Sequence, residues 1–177
     1  MQLSKWKELS REQVFSKYGK IIEKVCYRLP SGKDDDYYIR KSVQHPVCIL
    51  AFTEDQQVIL AQQYRPGPDE ILLELPGGSV NGEESAEQGI ARELREETGY
   101  EGKVQLVTRC HDDAYANTNR YVFVATGCKK VAEQQLDENE FIEVVFVSLP
   151  EFRNVLRSGK MTDVGAGYMG LDFLGLL

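Results

Sequence analysis

Histidine and closely paired cysteines are scarce in this sequence, which limits the kinds of metal site that it can build. The two histidines, His45 and His111, are far apart, so a histidine metal cluster is not predicted. The four cysteines include no Cys-x-x-Cys pair, and each lies beside apolar residues in a strand-like run. This pattern predicts buried structural thiols and favours neither disulfides nor zinc ligands.

The sequence also lacks an excess of basic residues and a long apolar run. Its 21 lysines and arginines face 28 aspartates and glutamates, and the net charge of −7 argues against a general nucleic-acid-binding protein. No run approaches the roughly 18 apolar residues of a membrane-spanning helix, and the first residues lack the apolar core of a signal peptide. We therefore expect a cytoplasmic protein with no nucleic-acid or membrane partner.

Short β-rich runs separated by turn residues predict an α/β or α+β domain built on a mixed sheet. The predicted strands cover residues 25–29, 37–39, 47–53, 57–64, 71–75, 103–109, 120–126 and 143–148. Residues 30–36 form the predicted turn between the first two strands. Helices are predicted over 85–98 and 150–158, whereas Gly165, Gly167 and Gly170 weaken any helix after Thr162.

The helix predicted over residues 85–98 has clear signals at both ends. Ser85 is a favourable N-cap, Gln88 completes a capping box, and Gly99 stands where a left-handed residue would end the helix. On a helical wheel, Ile90 and Leu94 belong to one apolar stripe, which predicts the face that packs against the sheet.

Three glutamates on the same helix predict a divalent-cation site. Glu93, Glu96 and Glu97 are spaced at i, i+3 and i+4. Two such carboxylates about 6 Å apart would repel by roughly 3 kcal/mol at an effective dielectric constant near 20, and a divalent cation between them reverses the sign. Because Glu93 and Glu97 border the apolar stripe, we expect them to line the edge of a cleft and not to face open solvent.

The segment that contains these glutamates resembles the Nudix box, Gly-x5-Glu-x7-Arg-Glu-U-x-Glu-Glu-x-Gly-U, where U is a bulky apolar residue. The matching residues are Gly78, Glu84, Arg92, Glu93, Leu94, Glu96, Glu97 and Gly99, with Tyr100 at the closing position that is more usually aliphatic. The Nudix family hydrolyses nucleoside diphosphates linked to another moiety. The resemblance implies the Nudix fold, a mixed-sheet α/β/α sandwich, over residues 45–177, with residues 1–44 as an N-terminal antiparallel β extension of the same domain.

The resemblance also implies roles for individual residues. By match to the family, the metal ligands are Glu93, Glu97, Glu96 and the main-chain carbonyl of Gly77. Glu96 is also implied in catalysis. Glu84 and Arg92 resemble the structural pair that braces the loop against the helix. The expected cofactor is Mg²⁺, with Mn²⁺ as the alternative, since such hard cations prefer oxygen ligands.

Segments outside the box resemble the branch of the family that hydrolyses nucleoside-diphosphate sugars and includes the ADP-ribose pyrophosphatases. These segments are Gln-Tyr-Arg-Pro at 63–66, Glu-Leu-Pro-Gly-Gly at 74–78 and Leu-Asp-Glu-Asn-Glu-Phe-Ile-Glu at 136–143. In that branch an acidic loop supplies a catalytic base and a last metal ligand. The match implies Glu138 as the base and Glu140 as the ligand, with Glu140 and Glu143 open as alternative bases. A solvated acidic loop is the alternative interpretation.

Three further residues are candidates for substrate binding. Arg65 is expected to clamp a phosphate or ribose, because a guanidinium binds an oxyanion through two hydrogen bonds, and an ordinary surface ion pair is the alternative. Tyr115 and Arg120 lie in a polar, aromatic stretch suited to contacts with a base or sugar. The proline that ADP-ribose enzymes often carry some fifteen residues past the box is absent, so GDP-mannose and the pyrimidine-nucleotide sugars stay open as substrates.

Members of this branch are usually homodimers in which the N-terminal β segment reaches the partner, and residues 1–44 resemble that segment. The leading hypothesis is a metal-dependent hydrolase in which water attacks the diphosphate of a nucleotide sugar, releasing a nucleoside monophosphate and a sugar phosphate. The alternatives are a nucleotide-binding sensor with weak catalysis, and a housecleaning hydrolase of nucleoside triphosphates or dinucleoside polyphosphates.

Overall fold

Two compact units make up the described chain. The computed structural model describes residues 3–17 and 19–177; Met1, Gln2 and Tyr18, over which the predicted N-terminal segment also extends, lie outside the described residues. The first unit comprises the described residues up to His45 together with His111–Asn119, and the second comprises Pro46–Cys110 and Arg120–Leu177. The assignment of residues 1–44 and 45–177 as segments of one Nudix domain stays a prediction.

A three-stranded antiparallel sheet forms most of the first unit. Its strands are β1 (Lys7–Lys17), β2 (Lys20–Arg28) and β3 (Asp34–Ser42), in that spatial order. The turn between β2 and β3 is shorter than predicted. Asp34 and Asp36 belong to β3, where they pair with Arg28 at 2.9 Å and with Lys24 at 2.9 Å. These cross-strand ion pairs extend the hairpin beyond the predicted strands.

The strand β1 was not predicted from the sequence. Each of its residues is exposed, so the strand lacks the alternation of buried and exposed residues that a strand over a core displays. It forms by pairing with β2, and its register shifts twice along that pairing. Such a strand has little sequence signal of its own, because its backbone hydrogen bonds determine its place.

A mixed sheet of seven strands is the centre of the second unit. The strands are β4 (Pro46–Thr53), β5 (Val58–Arg65), β6 (Glu70–Glu74), β7 (Gly77–Ser79), β8 (Tyr100–His111), β9 (Asn119–Lys130) and β10 (Glu143–Val147). The order is β10-β5-β4-β9-β8, with β6 beside β5 and β7 beside β4. Strand β4 runs parallel to β9 and antiparallel to β5 and β7, which confirms the predicted mixed sheet.

Helices cover both faces of this sheet. They are α1 (Ala86–Thr98), α2 (Leu149–Ser158) and α3 (Val164–Phe173). Ile90 of α1 belongs to a core cluster on one face, and Phe152 of α2 and Leu171 of α3 belong to a cluster on the other. Strand β4 supplies alternate residues to the two clusters, as the period of two requires. These layers are the predicted α/β/α sandwich.

The capping signals of α1 were predicted correctly, whereas the formation of a complete helix at α3 was not predicted. Ser85 and Gln88 form the capping box, and Gly99 ends α1 with a left-handed φ of 77°. Helix α3 forms despite its glycines, because they allow close packing: a Cβ at Gly167 would lie 2.6 Å from a methyl group of Leu156. Packing against α2 therefore outweighs the low helix propensity of glycine.

The four cysteines are free thiols, and Cys48 and Cys128 are buried as predicted, while Cys26 and Cys110 are half-buried. In the described part of the chain, no helix is long and apolar enough to cross a membrane.

Candidate active site

Glu97 lies where the C-terminal half of α1 meets the short strand β7. The main-chain N–H of Gly77 donates a hydrogen bond of 2.8 Å to Oε2 of Glu97. The chain at this point is held by β4, because the N–H of Ile49 donates to the carbonyl of Pro76 at 2.9 Å. The backbone of the central sheet therefore fixes the position of this carboxyl group.

Gly77 and Gly78 let the backbone approach its neighbours more closely than a side chain would permit. A Cβ at Gly77 would lie 2.2 Å from the carbonyl oxygen of Val47, and one at Gly78 would lie 2.4 Å from the carboxyl group of Glu93. Glycine at these positions brings the loop against both β4 and the first glutamate of the site.

Burial changes the acidity of the two glutamates that face the sheet. Glu97 is 4% exposed, and burial raises its pKa to about 8 although the hydrogen bond from Gly77 acts in the opposite direction. The charges of Glu93 and Glu140 add to this rise. Burial also raises the pKa of Glu93, while Arg92 opposes the rise. Burial therefore makes ionisation of either carboxyl group less favourable than in water, and a bound cation would offset that cost.

Arg92 connects the glycine-rich loop with α1. Its contacts to carboxylates are with Glu84 at 2.9 Å, Glu93 at 3.0 Å and Glu96 at 2.8 Å. Two of its nitrogens donate to Glu84, and one of these also donates to the carbonyl of Ser79 at 3.1 Å. The Glu84–Arg92 pair thus has the geometry of a brace between loop and helix. The same guanidinium also holds Glu93 and Glu96.

The acidic loop at residues 136–143 follows β9 and contains a closed turn. The N–H of Glu140 donates to the carbonyl of Asp137 at 2.9 Å, and the N–H of Asp137 donates to the carboxylate of Glu140 at 3.1 Å. The charge of Glu140 acts on Glu97, whereas Glu138 is exposed. The structure therefore brings Glu140 into the electrostatic surroundings of the helix glutamates and leaves Glu138 facing solvent.

Arg65 pairs with a buried glutamate. Its Nε donates to Oε1 of Glu74 at 2.7 Å, and a terminal nitrogen donates to Oε2. Glu74 is buried and also accepts from the side chain of Gln63 at 3.3 Å. Glu74 raises the pKa of Arg65, and the charge of Glu97 adds to this effect. The predicted clamp is thus within electrostatic reach of Glu97, with two of its nitrogens bound to Glu74.

Arg120 pairs with Asp163, which precedes α3. Its Nη1 donates to Oδ1 of Asp163, and the hydroxyl of Thr162 donates to Oδ2 at 3.0 Å. Burial, with a further contribution from the charge of Asp163, raises the pKa of Cys48 to about 12. The same charge acts on Arg65. Arg65 and Arg120 therefore belong to one network of charges within the second unit.

Tyr115 belongs to the first unit, where it is 59% exposed. Its carbonyl accepts from the N–H of Arg40 at 2.8 Å, and its own N–H donates to Oδ1 of Asp113 at 2.6 Å. The side chain of Arg40 also pairs with Asp112 at 3.1 Å. Tyr115 is thus part of a loop that is bound to β3.

The oxygen donors around α1 suit a hard divalent cation. Glu93 and Glu97 are four residues apart on one helix, and burial disfavours the negative form of each, which a cation would offset. Across residues 3–17 and 19–177, no three Asp, Glu, His or Cys side chains converge closely enough to hold an ion. Arg92 holds Glu93 and Glu96, while the amide of Gly77 holds Glu97. A bound ion would therefore share these carboxylates with Arg92 and the amide of Gly77, or displace them.

Sequence reasoning did not single out Glu74, Asp163 or Gln134. Glu74 begins the segment at 74–78 that resembles the nucleotide-sugar branch, three residues before Gly77. This position beside the box was the signal that could have identified it. Asp163 is 43 positions from Arg120 in the sequence. Gln134, which donates a hydrogen bond to the carbonyl of Glu97, is 37 positions from that residue. Pairings over such separations depend on the tertiary fold and leave no local pattern.

Comparisons with known proteins identify the family of this chain. The NUDIX domain model matches residues 44–164. The chain is 32% identical over 169 residues to the ADP-ribose pyrophosphatase of Bacillus subtilis (strain 168), a match that covers 92% of this chain and 89% of that protein. It is 29% identical over 164 residues to the methanol dehydrogenase activator of Bacillus methanolicus, covering 89% and 86% of the two chains. The crystal structure of an ADP compounds hydrolase superposes with a TM-score of 0.81 over 100% of both chains at 20% identity, and thus has the same fold. The chain therefore belongs to the Nudix hydrolase family.

Proposed function

We propose that the protein is a divalent-metal-dependent pyrophosphohydrolase that cleaves the diphosphate of nucleoside-diphosphate sugars. The observation that carries this proposal is the pairing on α1 of the buried Glu97 with the partly buried Glu93, both held against the Gly77–Gly78 loop in a Nudix chain. ADP-ribose and related ADP-sugars are the first candidate substrates, because a relative of similar length is an ADP-ribose pyrophosphatase. GDP-mannose and the pyrimidine-nucleotide sugars are the further candidates.

The proposed cofactor is Mg²⁺, with Mn²⁺ as the alternative. The ligands that we propose are the carboxylates of Glu93, Glu96, Glu97 and Glu140 and the main-chain carbonyl of Gly77. When bound, the cation supplies positive charge that offsets the charge of the diphosphate. The pair Glu84 and Arg92 keeps the loop against the helix, and Glu96, which is 37% exposed at its side chain, also serves in catalysis.

Glu138 is the proposed general base. Its carboxylate takes a proton from the attacking water while the water oxygen bonds to one phosphorus. The bond from that phosphorus to the bridging oxygen breaks, and the products are a nucleoside monophosphate and a sugar phosphate. The exposure of Glu138 supports this role, since a base on the loop must be able to approach a substrate.

Arg65 and Arg120 are proposed to contact the diphosphate or the ribose, because guanidinium groups bind oxyanions through paired hydrogen bonds. Their pairing with Glu74 and Asp163 supports this role by fixing their orientation. The exposed ring of Tyr115 is proposed to contact the base or sugar. We also propose that residues 1–44 form the contact of a homodimer. The expected cytoplasmic location stays a prediction.

A substrate panel tests the proposal. Purified protein with Mg²⁺ is incubated with ADP-ribose, GDP-mannose, UDP- and CDP-sugars, nucleoside triphosphates and dinucleoside polyphosphates, and the nucleoside monophosphate released is measured by anion-exchange chromatography. We expect nucleoside monophosphate to be released from nucleotide sugars, and we expect this release to stop when EDTA is added. Release from triphosphates or dinucleoside polyphosphates alone would favour a housecleaning hydrolase. No release from any substrate, with nucleotide binding retained, would favour a sensor.

A further inference from the structure

The C-terminal end of α1 is tied to the segment that follows β9. The last carbonyls of a helix have no partner within the helix and need one outside it. The carbonyl of Glu96 accepts from the N–H of Gln135 at 2.8 Å, and that of Gly99 accepts from the N–H of Val131 at 2.8 Å. The acidic loop therefore starts directly beside the helix that carries the paired glutamates.

The side chain of Gln134 makes a second connection with two ends. Its Nε2 donates to the carbonyl of Glu97 at 2.7 Å and to the carbonyl of Ile142 at 3.1 Å. A side-chain amide nitrogen carries two N–H donors, so this one group serves both carbonyls. Glu97 belongs to the last turn of α1, and Ile142 is a buried residue at the end of the loop. One side chain thus joins the beginning of the loop, its end and the helix.

The loop between these attachments carries Glu138 and Glu140. Its turn is closed by hydrogen bonds between Asp137 and Glu140, so the turn has a fixed shape of its own. The position of that turn relative to α1 then depends on the two ends of the loop. Gln134 acts at both ends, because it binds the carbonyls of Glu97 and Ile142.

We propose that Gln134 is a positioning residue whose amide fixes the acidic loop against the last turn of α1 and thereby aligns Glu138 for proton transfer. This inference rests on the proposed function, because it concerns the same reaction. Gln134 acts through the loop and does not itself contact the substrate. Its two hydrogen bonds stabilise the arrangement of loop and helix in which Glu138 acts as base.

A kinetic test uses Gln134→Met, which removes both donors and keeps an unbranched side chain of similar length. Gln134 is exposed, so the variant is expected to fold. We expect kcat to fall about tenfold with KM changed by less than about twofold, a loss typical of groups that orient the residues of a site. Gln105→Met makes the same change at an exposed position of β8 and is expected to keep the wild-type kcat. A wild-type kcat in Gln134→Met would overturn the proposal.

A double-mutant cycle with Glu138→Gln separates alignment of the base from a general structural effect. Once Gln134→Met has displaced the loop, Glu138→Gln should lower kcat by a much smaller factor than it does in the wild-type background. The same factor in both backgrounds would show that Gln134 acts independently of Glu138, and the proposal would be wrong.

Hydrogen exchange on the metal-free protein gives a readout that does not depend on turnover. Gln134→Met is expected to speed exchange of the amides of residues 135–142 at least about tenfold and to leave those of β4 unchanged. Unchanged exchange in the loop would overturn the anchoring role whatever the kinetics. A wild-type protein that is inactive on the whole substrate panel would instead defeat the proposed function, and the exchange measurement alone would then decide whether Gln134 anchors the loop.

Discussion

The main-chain N–H of Gly77 donates a 2.8 Å hydrogen bond to the carboxyl group of Glu97, so a backbone group of β7 orients a buried acid on α1. The bond is possible because Gly77 has no side chain to hold β7 away from β4. Sheet geometry and the chemistry of the site therefore depend on the same residue.

Gly77→Ala is expected to destabilise the protein and to lower its activity. The added Cβ would lie 2.2 Å from the carbonyl oxygen of Val47, so the backbone of β7 or β4 must move. Overpacking of this kind costs typically about 1–3 kcal/mol. Urea unfolding measures the change against Gly67→Ala, where a Cβ would meet nothing within 4 Å. Equal unfolding midpoints in the two variants would contradict the close approach of β7 and β4.

Glu97→Gln is expected to lower kcat by at least about 100-fold while the protein stays folded. Removal of a metal ligand should lower activity more than removal of a residue that only hydrogen-bonds to a ligand. The amide oxygen of glutamine still accepts the N–H of Gly77, so the local geometry is kept. Steady-state kinetics and circular dichroism measure the two effects. Glu87→Gln, in the exposed first turn of the same helix, is the matched control and should keep wild-type kinetics. Near-normal turnover in Glu97→Gln would rule out its proposed role.

The stability of the metal-free protein is expected to fall as the pH rises from about 4.5 to about 8. Burial raises the pKa of Glu97 from 4.5 to about 8, so the folded state binds more protons than the unfolded state in this window. Stability then decreases with pH. Because a cation binds the ionised form, the stabilisation by Mg²⁺ should increase over the same window.

Thermal unfolding at about pH 5.5 and about pH 8.5, in EDTA and in Mg²⁺, measures this prediction, with Glu97→Gln as the comparison. The variant has no carboxyl group at this position and should lose much of the pH dependence. A metal-free wild type that becomes more stable towards pH 8 would contradict the assignment.

Asp163→Ala is expected to destabilise the protein by roughly 3 kcal/mol, because it leaves Arg120 half-buried without this carboxylate. Arg120→Ala should lower the free energy of unfolding by a smaller amount. The double variant should lower it by less than the sum of the two single losses. Urea unfolding of the four proteins measures the coupling. If the two stability losses are instead strictly additive, and KM rises in Arg120→Ala but not in Asp163→Ala, then Arg120 acts on the substrate independently of Asp163.

Local signals explain why α1 and its box were predictable. The N-cap Ser85, the capping box and the left-handed Gly99 act within one helix length, and the spacing of Glu93 and Glu97 places them beside the apolar stripe whatever the rest of the chain does. The burial of Glu97 follows from that spacing.

Contacts between distant segments were not predictable in this way. The partner of Arg120 depends on where α3 packs, and α3 itself forms because glycines fit against α2, which propensity alone does not reveal. Strand β1 is exposed along its whole length and is positioned by backbone pairing, so no pattern of side chains marks it.

Strand β4 supplies Val47, Ile49 and Ala51 to one core cluster and Cys48, Leu50 and Phe52 to the other. A shift of one residue in its register would exchange the two sets and spoil both cores together. Because one strand supplies residues to both clusters, we expect the two sides of the sheet to unfold together. The second unit should lose its structure in a single cooperative transition, in which the helix that carries the glutamates unfolds together with the two helices on the opposite face.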